Sequence, residues 1–322
     1  MMLPCSPIPV DEVREISEAQ FRRDYVDAHR PLIMRGAVAH WSAMGWDDAT
    51  LLRVLAGVSL KVDVVPHSPT GSLDHLQAHQ VKMGVAELIE RFVAAEPGVH
   101  YYVHDLNLPL VLHADLGVHA LSGIWPVERR KTLWWGSNGQ TSQLHYDDNE
   151  NLMCQFDGYK EFLLFDVTEF ARMYPVADDF RSAIDLDASR PEDFPRFAEA
   201  TPYLARIEAG DLLYVPCYWW HRVYSGGRNL AVSTIINETM EQRVRVAGRL
   251  VGAGALPIEE QERRELLEIV AGPERPAKRN AKLRAYHRAY VERNGRSYYP
   301  HQIFERIIEE SLADILRGHA AY

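Results

Sequence analysis

Residues 145–165 read HYDDNENLMCQFDGYKEFLLF, and this stretch decides the fold that we expect. It contains two short runs rich in apolar and aromatic residues, at 151–156 and 160–166, with a turn at Gly158 between them. Short runs of this kind, bounded by Gly, Asn and Asp, are typical of β-strands. The stretch therefore predicts two strands joined at Gly158.

Similar runs recur on both sides of this stretch. Within 131–237 they lie at 132–135, 203–207, 211–215 and 229–236, and Gly, Pro, Asn and Asp separate them. Short strands at this spacing favour a sandwich or a barrel over a parallel α/β sheet. The polar stretch 168–200 is interrupted by prolines, which predicts a long insertion between two strands.

Segments with helical periodicity bracket the β region. They lie at 47–57 and 84–95 before it, and at 241–252, 258–270, 276–293 and 301–317 after it. The stretch 60–82 contains prolines and a glycine and is predicted to be a loop. We therefore expect an N-terminal α/β segment at 1–130 that contributes to the core and the substrate groove, a β core at 131–240 and a helical segment at 241–322.

The composition excludes several classes of protein. The 322 residues are 47% hydrophobic and 25% charged, which is typical of a globular protein rather than a disordered chain or a coiled-coil rod. The net charge of −10 argues against bulk affinity for nucleic acid or anionic membranes. Three widely spaced cysteines argue against a disulfide framework and a zinc ribbon. Neither a secretory signal nor a membrane span is recognisable, so the expected compartment is cytoplasmic.

His145 and Asp147 carry the chemistry that the sequence indicates. Residues two apart on a strand project from the same face, so this imidazole and this carboxylate can hold one ion from one side. A third ligand is available at His221, which ends the stretch GDLLYVPCYWWH at 210–221. Two histidines and one carboxylate leave adjacent coordination positions open. That arrangement suits non-haem Fe(II) enzymes that bind a chelating cosubstrate and dioxygen.

Lys160 is a second indication of a bound ligand. It lies near the start of a strand that continues as the apolar run FLLF. Burying a lysine is costly unless an anion meets its charge. An acidic cosubstrate would supply that anion.

Together these residues resemble a known family. The pattern HYDxxxN…GYKxFLLF…GDxLYVPxYWWH is similar to that of the JmjC/cupin-type Fe(II)- and 2-oxoglutarate-dependent oxygenases. The nearest likeness is to small hydroxylases similar to the asparaginyl hydroxylase that inhibits hypoxia-inducible factor, and the tRNA wybutosine hydroxylase is another relative of this type. The resemblance implies a mainly β fold with flanking helices, built on a double-stranded β-helix (jelly-roll). It also implies Fe(II), 2-oxoglutarate and O2 as cofactor and cosubstrates.

The resemblance further implies roles for individual residues. His145, Asp147 and His221 would be the iron ligands, and Lys160 would pair with the distal carboxylate of 2-oxoglutarate. Further contacts with the cosubstrate are implied for Ser142, Tyr102, Asn151 and Asn237, the last across a one-residue gap in the match. Structural roles are the alternative for two of them, as a strand-turn residue for Ser142 and as a core aromatic for Tyr102.

The implied reaction is hydroxylation of an unactivated C–H bond on a protein or peptide side chain, with succinate and CO2 as co-products. An RNA (tRNA base) hydroxylase is the alternative, because the sequence predicts a basic helix with interleaved tyrosines at 275–296. A cupin metalloenzyme without 2-oxoglutarate would leave Lys160 unexplained, and a non-catalytic module would leave the three ligands unexplained. Demethylation ranks below hydroxylation because no chromatin-reader module is recognisable. An apolar stripe at 303–316 suggests a homodimer through the C-terminal helices.

Overall fold

The protein is built mainly from β-strands with flanking helices, which confirms the predicted fold class. The computed structural model describes residues 2–66, 78–117, 128–137, 139–176, 180–237 and 239–253, with scattered positions between 264 and 289. The strands are Ile8–Pro9 (β1), Glu12–Val13 (β2), Leu32–Met34 (β3), Ser59–Pro66 (β4), His79–Gly84 (β5), Val99–Asn107 (β6), Glu128–Gly136 (β7), Gln140–Thr141 (β8), His145–Tyr146 (β9), Glu150–Phe165 (β10), Pro202–Glu208 (β11), Leu212–Val215 (β12) and Trp220–Ile236 (β13). The α-helices are Glu18–Phe21 (α1), Asp48–Val54 (α2), Val85–Ala94 (α3) and Met240–Gly252 (α4).

Two long strands, β10 and β13, organise the fold. They pair antiparallel from Glu150 opposite Ile236 to Phe165 opposite Trp220. On its other edge, the first half of β10 pairs with β12 and the second half with β11. The second half of β13 likewise pairs with β7, and the first half with β8 and β9. Because both strands change neighbours midway, they contribute to both layers of a jelly-roll.

The two strands change layer at an irregularity in their pairing. The register shifts twice between Gln155 and Tyr159, as at a β-bulge. Gly158 lies within it with φ +65°, a conformation that favours glycine. A Cβ at this position would collide with the carbonyl oxygens of Gly226 and Arg228 on β13. Glycine is therefore required here by both the backbone conformation and the close approach of the partner strand.

The larger layer runs in the order β2-β3-β12-β10-β13-β7-β6-β4-β5, and the smaller layer contains β1, β11, β8 and β9 beside the other halves of β10 and β13. Side chains from both layers meet in one apolar cluster, which includes Met153, Phe162 and Leu213. The outer faces are covered as well. Helices α2 and α3 pack on the larger layer, and α4 packs against Phe165 and Phe170 of the smaller layer and its neighbouring turns.

Two local predictions are wrong. The runs 151–156 and 160–166 are not two separate strands but parts of one bulged strand, β10. The stretch 60–82, predicted to be a loop, contains most of the antiparallel hairpin of β4 and β5, although 67–77 lies outside the described residues. The apolar side chains of Leu60 and Val62 alternate with polar ones and are fully buried, so the hairpin follows the period of a strand. The described parts of 168–200 form short 3₁₀ turns between β10 and β11, in agreement with the predicted insertion.

The C-terminal predictions have different outcomes. The helix predicted at 241–252 is observed as α4. The helices predicted at 258–270, 276–293 and 301–317 lie wholly or largely outside the described residues, so RNA binding through 275–296 and dimerisation stay predictions. No helix within the described ranges combines the length and the apolar character that crossing a bilayer requires.

Replacement of Gly158 by alanine tests the requirement at the bulge. A non-glycine residue in the left-handed region costs about 1–2 kcal/mol, and the collision with β13 adds to that cost. Gly57→Ala is the matched control, because Gly57 also has a positive φ but has no atom within 4 Å of the added Cβ. We expect Gly158→Ala to lower the free energy of unfolding in urea by at least 1 kcal/mol more than Gly57→Ala, about the size of a typical damaging substitution. Equal losses of unfolding free energy in the two variants would show that the close approach of β13 to Gly158 carries no cost.

Candidate metal and cosubstrate site

The three predicted metal ligands lie side by side. His145 on β9 is directly opposite His221 on β13, and the centres of their rings are 4.2 Å apart. Asp147 follows β9, and its Oδ2 lies 3.7 Å from His221 Nε2. One ligand atom from each residue lies within 4.8 Å of the others. The strand pairing thus brings together residues that are far apart in the sequence.

Backbone carbonyls orient both imidazoles. His145 Nδ1 lies 2.8 Å from the Gln143 carbonyl, and His221 Nδ1 lies 2.9 Å from the Trp219 carbonyl. A carbonyl can only accept, so each Nδ1 carries the proton and each Nε2 is free to bind a metal. Burial, followed by the neighbouring His145, lowers the pKa of His221 to about 4, so the ring is neutral at physiological pH. Two imidazoles and a carboxylate fit Fe(II).

Lys160 lies inside the jelly-roll with its ammonium facing hydroxyl groups. Its side chain is 1% exposed, and Nζ lies 2.7 Å from Ser225 Oγ and 3.4 Å from the Tyr102 hydroxyl. Burial lowers the pKa of Lys160 to about 7. Within the described ranges, the contacts of this ammonium include no carboxylate. A buried cation of this kind fits the carboxylate of an acidic cosubstrate.

A cavity of about 290 Å³ connects the predicted ligands with Lys160. All the predicted site residues except Asn237 line it: His145, Asp147, His221, Lys160, Ser142, Tyr102 and Asn151. Asn237 is exposed and lies one residue beyond the end of β13. The end of β13 pairs with β10 beside Asn151, but Asn237 is not among the residues that line the described cavity. The structure therefore does not bring Asn237 to the site.

The supporting residues have contacts that define their orientation. The Ser142 hydroxyl accepts from the Val223 backbone N–H at 2.9 Å and so links two strands beside the cavity. Asn151 Oδ1 accepts from the Ser233 hydroxyl at 2.6 Å. Of the two neighbouring tyrosines, Tyr102 lines the cavity, whereas Tyr101 packs in the cluster on the outer side of the larger layer.

Several cavity residues were not predicted. Ser225 lies four residues after His221 on β13, so the two side chains project from the same face of the strand. This even spacing could have identified Ser225 from the sequence. Asp63 and His104 form an ion pair at the cavity, and the carboxylate raises the pKa of His104. Trp134 lies beside them, with its ring centre 5.8 Å from that of His104. Asp63 was missed because β4 was predicted to be a loop.

Comparisons with known proteins agree with this geometry. The chain matches the family described as Cupin-like domain over residues 18–235. It is 25% identical over 248 residues to lysine-specific demethylase 8 of Xenopus tropicalis, which covers 72% of this chain and 55% of that protein. It is 26% identical over 268 residues to the bifunctional peptidase and (3S)-lysyl hydroxylase JMJD7 of Homo sapiens, which covers 71% of this chain and 84% of that protein.

A third relative extends the range of organisms. JmjC domain-containing protein D of Dictyostelium discoideum is 31% identical over 240 residues, which covers 66% of this chain and 53% of that protein. The chain thus spans little more than half the length of the demethylase and of the Dictyostelium protein. The Cupin-like match nevertheless includes every residue that lines the cavity. The chain belongs to the cupin-like JmjC family of Fe(II)- and 2-oxoglutarate-dependent oxygenases.

Proposed function

We propose that this oxygenase hydroxylates an unactivated C–H bond in a basic side chain of a protein or peptide, with succinate and CO2 as co-products. The observation that carries the proposal is a carboxylate in the cavity wall. Asp63 and Asp147 are the acidic residues among those that line the described cavity, and Asp147 is a predicted iron ligand. Asp63, whose Oδ2 contacts His104, is therefore the carboxylate of the described cavity that is not assigned to the metal. A carboxylate attracts a cationic side chain and repels the phosphates of RNA.

The surroundings of Asp63 are suited to a long cationic side chain. Tyr102, His104 and Trp134 place three aromatic rings side by side near it, and their neighbouring centres are 5.8 to 6.2 Å apart. Aromatic faces attract cations and pack against aliphatic stems. Arg181, the arginine that lines the described cavity, lies on a different wall, in a segment that pairs with His145. The cavity thus has an acidic aromatic wall and a separate basic one.

The names of two relatives support a basic side chain as the substrate. The human protein is named a lysyl hydroxylase, and the Xenopus protein is named a lysine-specific demethylase. The second name favours a second candidate function, demethylation of an N-methyl-lysine. Hydroxylation of the N-methyl carbon followed by release of formaldehyde would use the same cavity. The two functions differ in their products.

Each part of the site has a task in this proposal. Iron and 2-oxoglutarate, when bound, supply the chemistry that turns dioxygen into an oxidant for a C–H bond. His145, Asp147 and His221 would hold the metal from one side and leave the other side open. Lys160 would bind the distal carboxylate of the cosubstrate. Met153 and Phe162 are buried in the cavity wall, where their apolar side chains exclude water.

Peptides that contain a central lysine, arginine, N-methyl-lysine or glutamine test the substrate class. We expect a lysine or arginine peptide to gain one oxygen atom, as measured by mass spectrometry, and the glutamine peptide to remain unchanged. Formaldehyde release from the methylated peptide would instead favour demethylation.

Replacement of Asp63 tests the role of the cavity carboxylate. Asp63→Asn should reduce kcat/KM for the basic peptide by about tenfold or more, because a charge-assisted contact is lost. Asp193→Asn, at an exposed 3₁₀ turn, is the control and should have no effect. Wild-type kcat/KM in the Asp63 variant would contradict the proposed role of this carboxylate.

Anaerobic titration of 2-oxoglutarate into the Fe(II)-loaded protein tests the assigned ligands. We expect a weak visible charge-transfer band in the wild-type protein and its loss in Asp147→Ala, because that variant lacks one of the three metal ligands. In Lys160→Ala the band should form only at higher cosubstrate concentrations. Iron binding without a band at any concentration would mean that this chain binds its metal without chelation by 2-oxoglutarate.

The pH dependence of the KM for 2-oxoglutarate tests Lys160. Its pKa is lowered to about 7, so the ammonium is charged below that pH and loses its proton above it. Because the cosubstrate carboxylate needs the charged form, KM should rise with pH, approaching about tenfold per unit above pH 7. Lys160→Arg should remove this dependence, because arginine stays charged. A wild-type KM that is constant from about pH 6 to about pH 9 would contradict the assignment.

A further inference from the structure

A strained turn links two of the predicted metal ligands. Within the turn 216–219, Tyr218 has φ +62°, which is uncommon for a residue other than glycine. Its backbone N–H donates to the carbonyl of Asp147 at 2.6 Å. The next carbonyl, that of Trp219, accepts from His221 Nδ1. The turn therefore contacts the backbone of one ligand and the ring of another. A strained turn persists only where the surrounding structure holds it.

The Trp219 side chain anchors this turn to the N-terminal segment. The indole is buried, and its Nε1 donates to the carbonyl of His29 at 3.0 Å and lies 3.2 Å from His29 Nδ1. An indole N–H can only donate, so both atoms of His29 act as acceptors. His29 is itself buried and has φ +56°. The Trp219 indole thus joins His29 to the turn that contains Tyr218, and both of these residues have left-handed backbone conformations.

Arg249 on α4 binds the same two acceptor atoms from the other side. Its Nη1 lies 2.8 Å from His29 Nδ1 and 3.2 Å from the His29 carbonyl. Its Nη2 donates to Asp166 at 2.6 Å, directly after β10. The Trp219 indole and the Arg249 guanidinium are both donors, so Nδ1 of His29 is unprotonated and the ring proton lies on Nε2. This Nε2 is 3.7 Å from Cys217 Sγ. Burial and then Arg249 lower the pKa of His29 to about 3, which keeps the ring neutral.

We propose that Arg249 and His29 are positioning residues for the metal site. They hold the Trp219 indole, the indole holds the turn 216–219, and the turn holds the Asp147 backbone and the His221 ring. Helix α4 therefore supports the metal site, although none of its described side chains lines the cavity. This inference rests on the proposed function only through the assignment of Asp147 and His221 as metal ligands.

Arg245 offers a matched comparison on the same helix. It forms an ion pair with Asp27 at 2.5 Å, so it also joins α4 to the N-terminal segment. This ion pair is not part of the chain of hydrogen bonds that runs from Arg249 to Trp219. Loss of the Arg245 side chain therefore reports the cost of weakening the attachment of α4 without removing a donor to His29.

Binding of Co(II) alone to the 322-residue chain tests the proposal. Its affinity is measured by competition with a chelator, its visible absorption reports the ligand geometry, and the thermal midpoint of the metal-free protein is recorded alongside. We expect Arg249→Met and Trp219→Phe each to weaken Co(II) binding by about tenfold or more and to change the visible spectrum, as loss of residues that orient metal ligands commonly does. Arg245→Met should keep the wild-type affinity and spectrum.

Two results would overturn the inference while the ligand assignment stands. One is a wild-type Co(II) affinity and spectrum in Trp219→Phe. This variant removes a single hydrogen-bond donor and retains an aromatic ring, so it decides the question if Arg249→Met does not fold. The other is a loss of Co(II) affinity in Arg245→Met as large as that in Arg249→Met. That result would show that the weaker metal binding comes from a weaker attachment of α4. His221→Ala separates these results from failure of the metal site. If that variant binds Co(II) as tightly as the wild type, the ligand assignment fails, and the inference fails with it.

Discussion

The antiparallel pairing of β10 with β13 is the constraint on which the rest of the structure depends. It places Leu164 opposite His221 and Lys160 opposite Ser225, so a predicted metal ligand and the buried cation lie on one pair of strands. The same pairing continues past the bulge at Gly158 into the other layer. The two layers can enclose a cavity because both strands are shared between them. The chemistry of the site is thus a direct consequence of backbone hydrogen bonding.

Much of this arrangement could be predicted from local patterns. The spacing of His145 and Asp147 on a strand predicted a shared face, and the structure brings both next to His221. Lys160 was singled out because a lysine in an apolar strand needs an anion, and it is indeed buried. Residues 151–156 and 160–166 were predicted as two strands, whereas the structure has one strand with a bulge. An apolar pattern identifies strand residues, but it does not show whether hydrogen bonding continues through a glycine.

Other features could not be predicted because they depend on contacts between distant residues. Asp63 lies on a strand whose polar residues and nearby prolines suggested a loop, and only the fold shows that it lines the same cavity as the predicted iron ligands. Asn237 was assigned by resemblance across a one-residue gap, but it is exposed, lies beyond the end of β13 and is not among the residues that line the described cavity. The contact between His29 and Arg249 joins residues 220 positions apart. No periodicity within either segment indicates that contact.

The extended backbone of β13 also fixes the spacing between two residues of the cavity. His221 and Ser225 lie on the same face of this strand, four residues apart, which corresponds to about 13 Å of extended backbone. A distance set by the backbone does not change when a side chain rotates. The spacing between the backbone positions of His221 and Ser225 is therefore fixed by the same hydrogen bonds that hold the core together. With Lys160 opposite Ser225 as the proposed partner of the distal carboxylate, this backbone spacing would select the length of the dicarboxylate that fits beside the metal.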